Sequence, residues 1–305
     1  MTGGLYMLNI SFFSYKGGSG RTSLLYNTLP FLANKLHATN ENPIVVIDLD
    51  IDSKGLSYLI EGKSSISAFQ VLKGDPAIGF DSSAETVGKH PLFQSALPIG
   101  LKIGLSPAQD ASVLFISAHS DANTFLGNNT NFDAEDIGLD TFNRICEDCG
   151  CRAIIMDTPT GGQLAADAAL SISNKIVTVM RITKQFRNGT YEFLKNMSKR
   201  RLNNKEFVIV PNAIPDFSNF PNLSLNIIIG GIKLGIKNAL GPSCKANLNM
   251  MEADYPGINE VNWFKYEEDC LFRINTRAER ALSEDEKKAL YCYQTLSEVL
   301  TNGCE

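Results

Sequence analysis

The chain has 305 residues, 44% of them hydrophobic and 20% charged, enough apolar material to bury a sizeable core and too much for a disordered or fibrous protein. Its 28 Lys+Arg against 33 Asp+Glu leave a net charge of −5, so any contact with nucleic acid has to be local rather than a property of the whole surface. No apolar run approaches the roughly 18 residues of a membrane span, and the first residues lack the basic and apolar regions of a secretory signal, so a cytoplasmic protein is expected.

Apolar runs of strand length occur at Leu5 to Tyr15, Pro43 to Asp50, Val113 to Ala118, Cys151 to Asp157, Lys175 to Ile182, Phe207 to Ala213 and Leu225 to Ile232. Most are continuous rather than alternating, as in strands covered on both faces. Helical patterns fall between several of them, at Thr22 to His37, Asp133 to Asp148, Leu164 to Ser173 and Gly189 to Leu202. That alternation predicts an α/β fold with a doubly wound, mostly parallel sheet flanked by helices in a three-layer sandwich. Pro30 lies inside the first helical pattern, where it removes an amide and should kink the helix. The last helix, over about 283–302, is marked by the capping pair Ser283 and Glu286 and by the stripe Ala289, Leu290, Tyr293, Leu296 and Leu300. One domain spanning 1–305 is expected, with a loop-rich insertion at about 62–131 that holds one convincing strand.

The segment Ser14-Tyr-Lys-Gly-Gly-Ser-Gly-Arg-Thr-Ser23 follows the first strand directly and opens the first helix, the context of a phosphate-binding loop. Gly17, Gly18 and Gly20 allow backbone conformations that turn successive N–H groups, including that of Ser19, toward one anion at a positive helix N-terminus. Thr22 stands where a loop hydroxyl binds Mg²⁺, and Ser23 where a hydroxyl can donate to an inner phosphate. Two acidic signals fall at the ends of strands, Ile47-Asp48-Leu49-Asp50 and Met156-Asp157-Thr158-Pro159-Thr160-Gly161-Gly162, where doubly wound sheets place their ligands. Carboxylates in such positions call for a cation or for solvent.

Together these segments resemble the ParA/MinD family of P-loop ATPases, whose deviant Walker A motif reads Lys-Gly-Gly-x-Gly-Lys-Thr-[Ser/Thr]. The resemblance runs through the loop at Lys16 to Ser23, Asp48 to Asp50 with Gly55, Asp157 to Gly161, Thr183 to Phe193 and Val208 to Asn212. It is poor or absent from Gly62 to Asn131 and from Pro215 to Pro256. It implies ATP and Mg²⁺ as ligands, a nucleotide-sandwich homodimer and slow hydrolysis stimulated by a partner, in partition or positioning of a cargo. Lys16 resembles the signature lysine that reaches the partner subunit's phosphates. Thr22 and Asp157 resemble the Mg²⁺ ligands, Asp48 a support of the metal shell, and Asp50 the residue that orients attacking water. Asn212 resembles the asparagine that reads adenine. Arg21 stands in place of the family's usual P-loop lysine, as in a subgroup of ParA-like proteins. Its planar fork can grip phosphate with two hydrogen bonds but needs more room than an ammonium. Arg21 therefore also motivates a second reading, a nonhydrolysing nucleotide-dependent scaffold within a multiprotein system such as phage defence.

Weaker signals have ordinary explanations beside the functional ones. Cys146, Cys149 and Cys151 have the spacing of half a zinc site but lack a second pair, and read rather as reduced thiols at a helix end and a strand. Lys195, Lys199, Arg200, Arg201 and Lys205 could contact DNA phosphates without sequence preference, or simply form a solvated helix end. The acidic tail residues Glu284, Asp285 and Glu286 are unlike a basic amphipathic membrane anchor, so no membrane contact is expected.

Overall fold

The computed structural model describes residues 7–39, 42–60, 67–73, 96–98, 112–118, 142, 145, 150–197, 204–212, 225–241, 247–250 and 284–302. Its strands are β1 (Leu8–Phe13), β2 (Ile44–Asp48), β3 (Ala96–Pro98), β4 (Ser112–Ile116), β5 (Ala153–Asp157), β6 (Lys175–Arg181), β7 (Glu206–Asn212) and β8 (Asn247–Met250). They form an 8-stranded sheet in the order β3-β4-β2-β5-β1-β6-β7-β8. Every pairing is parallel except that of the edge strand β3 with β4. The chain moves outward from β1 on one side through β2 and β4, returns with β5 beside β1, and then continues on the other side with β6 to β8. The order reverses around β1, the position at which such sheets open a crevice beyond their carboxyl ends.

The continuous apolar strands are covered on both faces. Ile10, Phe12, Ile44, Val46, Ile155, Val177, Val179, Val208 and Val210 face one core, which receives Leu24, Leu25, Leu29 and Leu32 from α1 (Arg21–Lys35) and Tyr293, Leu296 and Leu300 from α7 (Glu284–Thr301). On the other face, Val45, Ile47, Ile154 and Met156 pack with Phe142, Ile145 and α4 (Leu164–Ile172). Further along that face, Ile176, Met180, Phe207 and Ile209 meet α4, α5 (Lys184–Asn196) and α6 (Leu225–Leu240). Two short helices, α2 (Gly55–Ile60) and α3 (Ala68–Lys73), follow β2. The three-layer α/β sandwich expected from the alternation of elements is present.

Three boundaries depart from expectation. Leu225 to Ile232 reads as a strand in sequence and is the first half of helix α6. A short apolar run does not discriminate the two periods, but Ile232, Ile236 and Leu240 are buried at helical spacing, and Ile227 is exposed. Helix α5 begins at Lys184 rather than Gly189, because Gly189 lies against the ring of Tyr15 within the helix instead of opening it. The insertion contributes α3 and a second strand, β3, in addition to the expected β4. Pro30 is buried inside α1. The pattern from Asp133 to Asp148 is described only at the helical residues Phe142 and Ile145, and the cap residue Ser283 lies outside the described residues.

Candidate phosphate loop and carboxylate pocket

The loop between β1 and α1 is built on left-handed backbone at Gly18 (φ 75) and at Gly20 (φ 84), which is the N-cap of α1. A residue with a Cβ would be strained at both, so the loop needs glycine there to expose its amides at the helix N-terminus. Ser19 is buried while Gly17 and Gly18 are exposed, leaving the crest of the loop open to solvent. Thr22 and Ser23 in the first turn of α1 are half-buried.

Sheet register brings the two acidic motifs together. Asp48 pairs with Asp157 across β2 and β5, and Phe12 of β1 pairs with Asp157 on its other side. The carboxylates from distant parts of the sequence therefore sit side by side at the carboxyl end of the sheet, directly below the loop. Asp48 and Asp157 are fully buried, and Asp50 nearly so.

Arg21 enters this pocket. It is 5% exposed; its Nε donates to Asp157 Oδ1 at 2.5 Å, its Nη2 to Asp50 Oδ2 at 2.7 Å, and its Nη1 to Ser14 Oγ at 3.4 Å. The remaining carboxylate oxygens are occupied as well. Asp157 Oδ2 accepts from Thr22 Oγ1 at 2.7 Å, and Asp50 Oδ1 accepts from the Ser53 amide at 3.2 Å. Asp48 Oδ1 accepts from the Asp50 amide at 3.1 Å, and its Oδ2 from the Ser57 amide and hydroxyl at 2.8 and 2.6 Å. Burial alone would lower the pKa of Arg21, but the charges of Asp157 and Asp50 more than offset this and hold it above its ordinary value. Burial pushes Asp157 up, opposed by the Arg21 charge and by the Thr22 and Arg21 hydrogen bonds. Asp48 is raised to about 6, by burial first and by the neighbouring Asp157 charge second, against the Ser57 donors.

The oxygen chemistry of Thr22, Asp48 and Asp157 suits Mg²⁺, which the resemblance implies, but the set does not fit the ion as the side chains stand. Each carboxylate oxygen already accepts from the chain, and a guanidinium bridges Asp50 and Asp157. Among the described residues no group of three or more His, Cys, Asp and Glu is arranged to hold a metal ion.

On the opposite flank of the loop, Lys16 takes no part in the pocket. Its Nζ lies 5.9 Å from the ring centroid of Phe186 on α5. Tyr15 lies against the same helix, where a Cβ at Gly189 would overlap the Tyr15 ring, and the Tyr15 and Phe193 ring centroids are 6.5 Å apart. Arg181, at the end of β6, donates from Nε to the Gly18 carbonyl at 2.8 Å, which sets a second cation on the rim. Sequence reading missed Arg181, Ser57 and the Tyr15–Gly189 contact. Arg181 follows a continuous apolar strand just as the acidic motifs do, and that was the available signal.

Asn212 is 1% exposed and its amide nitrogen donates to the Ser19 carbonyl at 2.8 Å, which braces the loop. Lys205 is buried, and its ammonium donates to the carbonyls of Ser171 and Ser173 at the carboxyl end of α4, which removes it from a DNA-facing cluster. Lys195 is exposed on the last turn of α5, whereas Lys199, Arg200 and Arg201 lie outside the described residues. So do Cys146 and Cys149; Cys151 is half-buried against the core beside α4. No helix among the described residues is long and apolar enough to cross a membrane.

No family model and no curated protein matches the chain. Solved structures do. A MinC:MinD cell division protein complex from Aquifex aeolicus matches with 15% identity and a TM-score of 0.52, over 95% of this chain and 95% of that one. The septum site-determining protein MinD complexed with Mg-ADP from Pyrococcus horikoshii OT3 matches at 15% and 0.52, over 97% and 96%. The pNOB8 ParA bound to nonspecific DNA matches at 12% and 0.51, over 97% of each. At such identities the likeness establishes the fold alone: the described residues share the three-layer α/β architecture of these MinD and ParA structures.

Proposed function

We propose that the chain is an ATP-binding switch of the ParA/MinD kind, which dimerises face to face around nucleotide and hydrolyses it slowly in response to a partner. The observation that carries this reading is the convergence of a glycine-built loop, a helix N-terminus and two strand-end carboxylates at the switch point of the sheet. The loop amides and the α1 N-terminus would bind the phosphates. Lys16 and Arg181 on the rim would add positive charge, and Lys16, held by no carboxylate among the described residues, is free to extend toward a second subunit. The Mg-ADP in the Pyrococcus MinD, the protein complex of the Aquifex MinD and the nonspecific DNA on ParA support nucleotide, adaptor and DNA as ligand classes. For DNA, Lys195 is the described candidate, tested by salt-sensitive, ATP-dependent retardation of random-sequence duplex.

The test is calorimetry with ATP alongside solution scattering. Nucleotide binding with a doubling of mass is expected. Lys16→Ala should bind ATP but fail to double, because two facing triphosphates repel without an intervening cation. Absence of both binding and mass change would end this reading.

The Arg21–Asp50 ion pair specifically favours the second reading, a nucleotide-dependent scaffold that does not hydrolyse. Asp50, the residue the resemblance gives to the attacking water, has both oxygens engaged within the chain. Single-turnover hydrolysis against an Asp50→Ala control separates the two readings, and a rate no higher than the control supports the scaffold.

A further inference from the structure

The charge of Arg21 goes to the protein rather than to the crest of the loop. Its guanidinium reaches carboxylates from two different strand ends at once, Asp157 after β5 and Asp50 after β2, through two different nitrogens. A planar, weakly hydrated fork can bridge two buried anions in this way, whereas a lysine ammonium is a strongly hydrated point charge that would not span the pair with the same geometry. Removing one partner from such a buried arrangement leaves an uncompensated charge, so the bridge resists displacement. Arginine at this position therefore decides what cation the carboxylates hold.

We propose that Arg21 is the resident cation of this pocket, seated between Asp50 and Asp157, so that the loop takes a nucleotide polyphosphate without requiring a divalent cation. The proposal rests on the nucleotide-binding reading above and deepens it. The phosphate charge is met by the loop amides, by the α1 N-terminus and by Lys16 and Arg181, all on the solvent-facing side. Thr22 keeps its hydrogen bond to Asp157, and Ser57 keeps Asp48 satisfied, so no carboxylate oxygen of the pocket is left seeking a metal.

Two measurements on the full chain test this. In the first, Mn²⁺ alone is titrated into nucleotide-free protein and free Mn²⁺ is read by electron paramagnetic resonance. Arg21→Gln, which keeps hydrogen-bonding capacity but removes the charge, should bind Mn²⁺ at least about tenfold more tightly than wild type, a difference of about 1.4 kcal/mol. Arg21→Lys, which keeps the charge and serves where Arg21→Gln does not fold, should show a gain in the same direction. In the second, ATP affinity is measured by calorimetry with Mg²⁺ and with chelator. Wild type should change by no more than about twofold, and Arg21→Lys should lose about tenfold or more in chelator. Wild type binding Mn²⁺ as tightly as both variants, or needing Mg²⁺ for ATP as strongly as Arg21→Lys, overturns the proposal. If ATP binds in neither buffer, the nucleotide reading fails while the Mn²⁺ titration, which needs no nucleotide, still decides the role of Arg21.

Discussion

The two flanks of the phosphate loop handle positive charge in opposite ways. On the sheet side, Arg21 is buried between two carboxylates that themselves have every oxygen engaged, so the region is neutralised from within. On the rim side, Lys16 lies over an aromatic ring and Arg181 holds a loop carbonyl, and neither forms an ion pair among the described residues. Loop spacing does not assign these roles: Arg21 and Lys16 belong to the same short motif, and only the sheet register decides which of them meets the aspartates. The buried flank supplies structural rigidity and the rim flank supplies charge for a ligand.

Disrupting the buried flank should have the largest effect on stability. Asp157→Asn leaves Arg21 with a single carboxylate in a buried site, and a loss of about 3–5 kcal/mol in urea unfolding is expected. A loss comparable to that of a surface substitution would mean the bridge is not formed in solution. On the rim flank the packing contact dominates. Gly189→Ala drives a methyl into the Tyr15 ring, a cost of about 1–3 kcal/mol, and the double variant with Tyr15→Ala should recover most of it. Failure of that rescue would place the strain elsewhere.

Lys205 provides a third kind of cation, buried and bonded among the described residues to carbonyls rather than carboxylates. Lys205→Met leaves the Ser171 and Ser173 carbonyls without this donor and should cost about 1–3 kcal/mol on the alkaline side, where the folded chain holds the amine uncharged. Burial lowers the Lys205 pKa from 10.5 to about 8, so between these values the unfolded chain binds this proton more than the folded one does. The lysine's contribution to stability therefore rises from about pH 8 toward 10.5 and is lost as pH falls through 8. The difference in unfolding free energy between wild type and Lys205→Met should widen over that alkaline interval, and a constant difference would contradict the depressed pKa. Smallest of all, Lys16→Ala should change the stability of the isolated chain by no more than about 1 kcal/mol, since among the described residues its side chain meets an aromatic ring and no charge.

Much of the frame was legible from sequence because continuous apolar strands and a glycine loop in strand-to-helix context are local signals. The strands β1, β2, β5 and β6 fall within the expected runs, β4 and β7 begin one residue before theirs, and the loop opens α1 as its spacing requires. The error at Leu225 to Ile232 arose where the apolar run was read without its continuation through Ile236 and Leu240, which sets the helical period. The antiparallel edge strand β3 is three residues long and carries no periodicity to read. Side-chain commitments were less accessible. Whether Arg21 turns to phosphate or to carboxylate depends on the pairing of Asp48 with Asp157, and that Asn212 braces Ser19 depends on β7 lying two strands from β1. The burial of Lys205 follows from α4 ending over the start of β7, a contact that a cluster of basic letters near a helix end conceals.

With Arg21 as its resident cation, the buried flank stays closed while the rim flank receives nucleotide. A crystal structure of the chain with a nonhydrolysable ATP analogue would show the triphosphate on the loop amides beside Lys16 and Arg181, with the Arg21 guanidinium still hydrogen-bonded to Asp50 and Asp157. An Arg21 side chain withdrawn from both aspartates and bonded to the phosphates, with a metal ion in its former place, would contradict it.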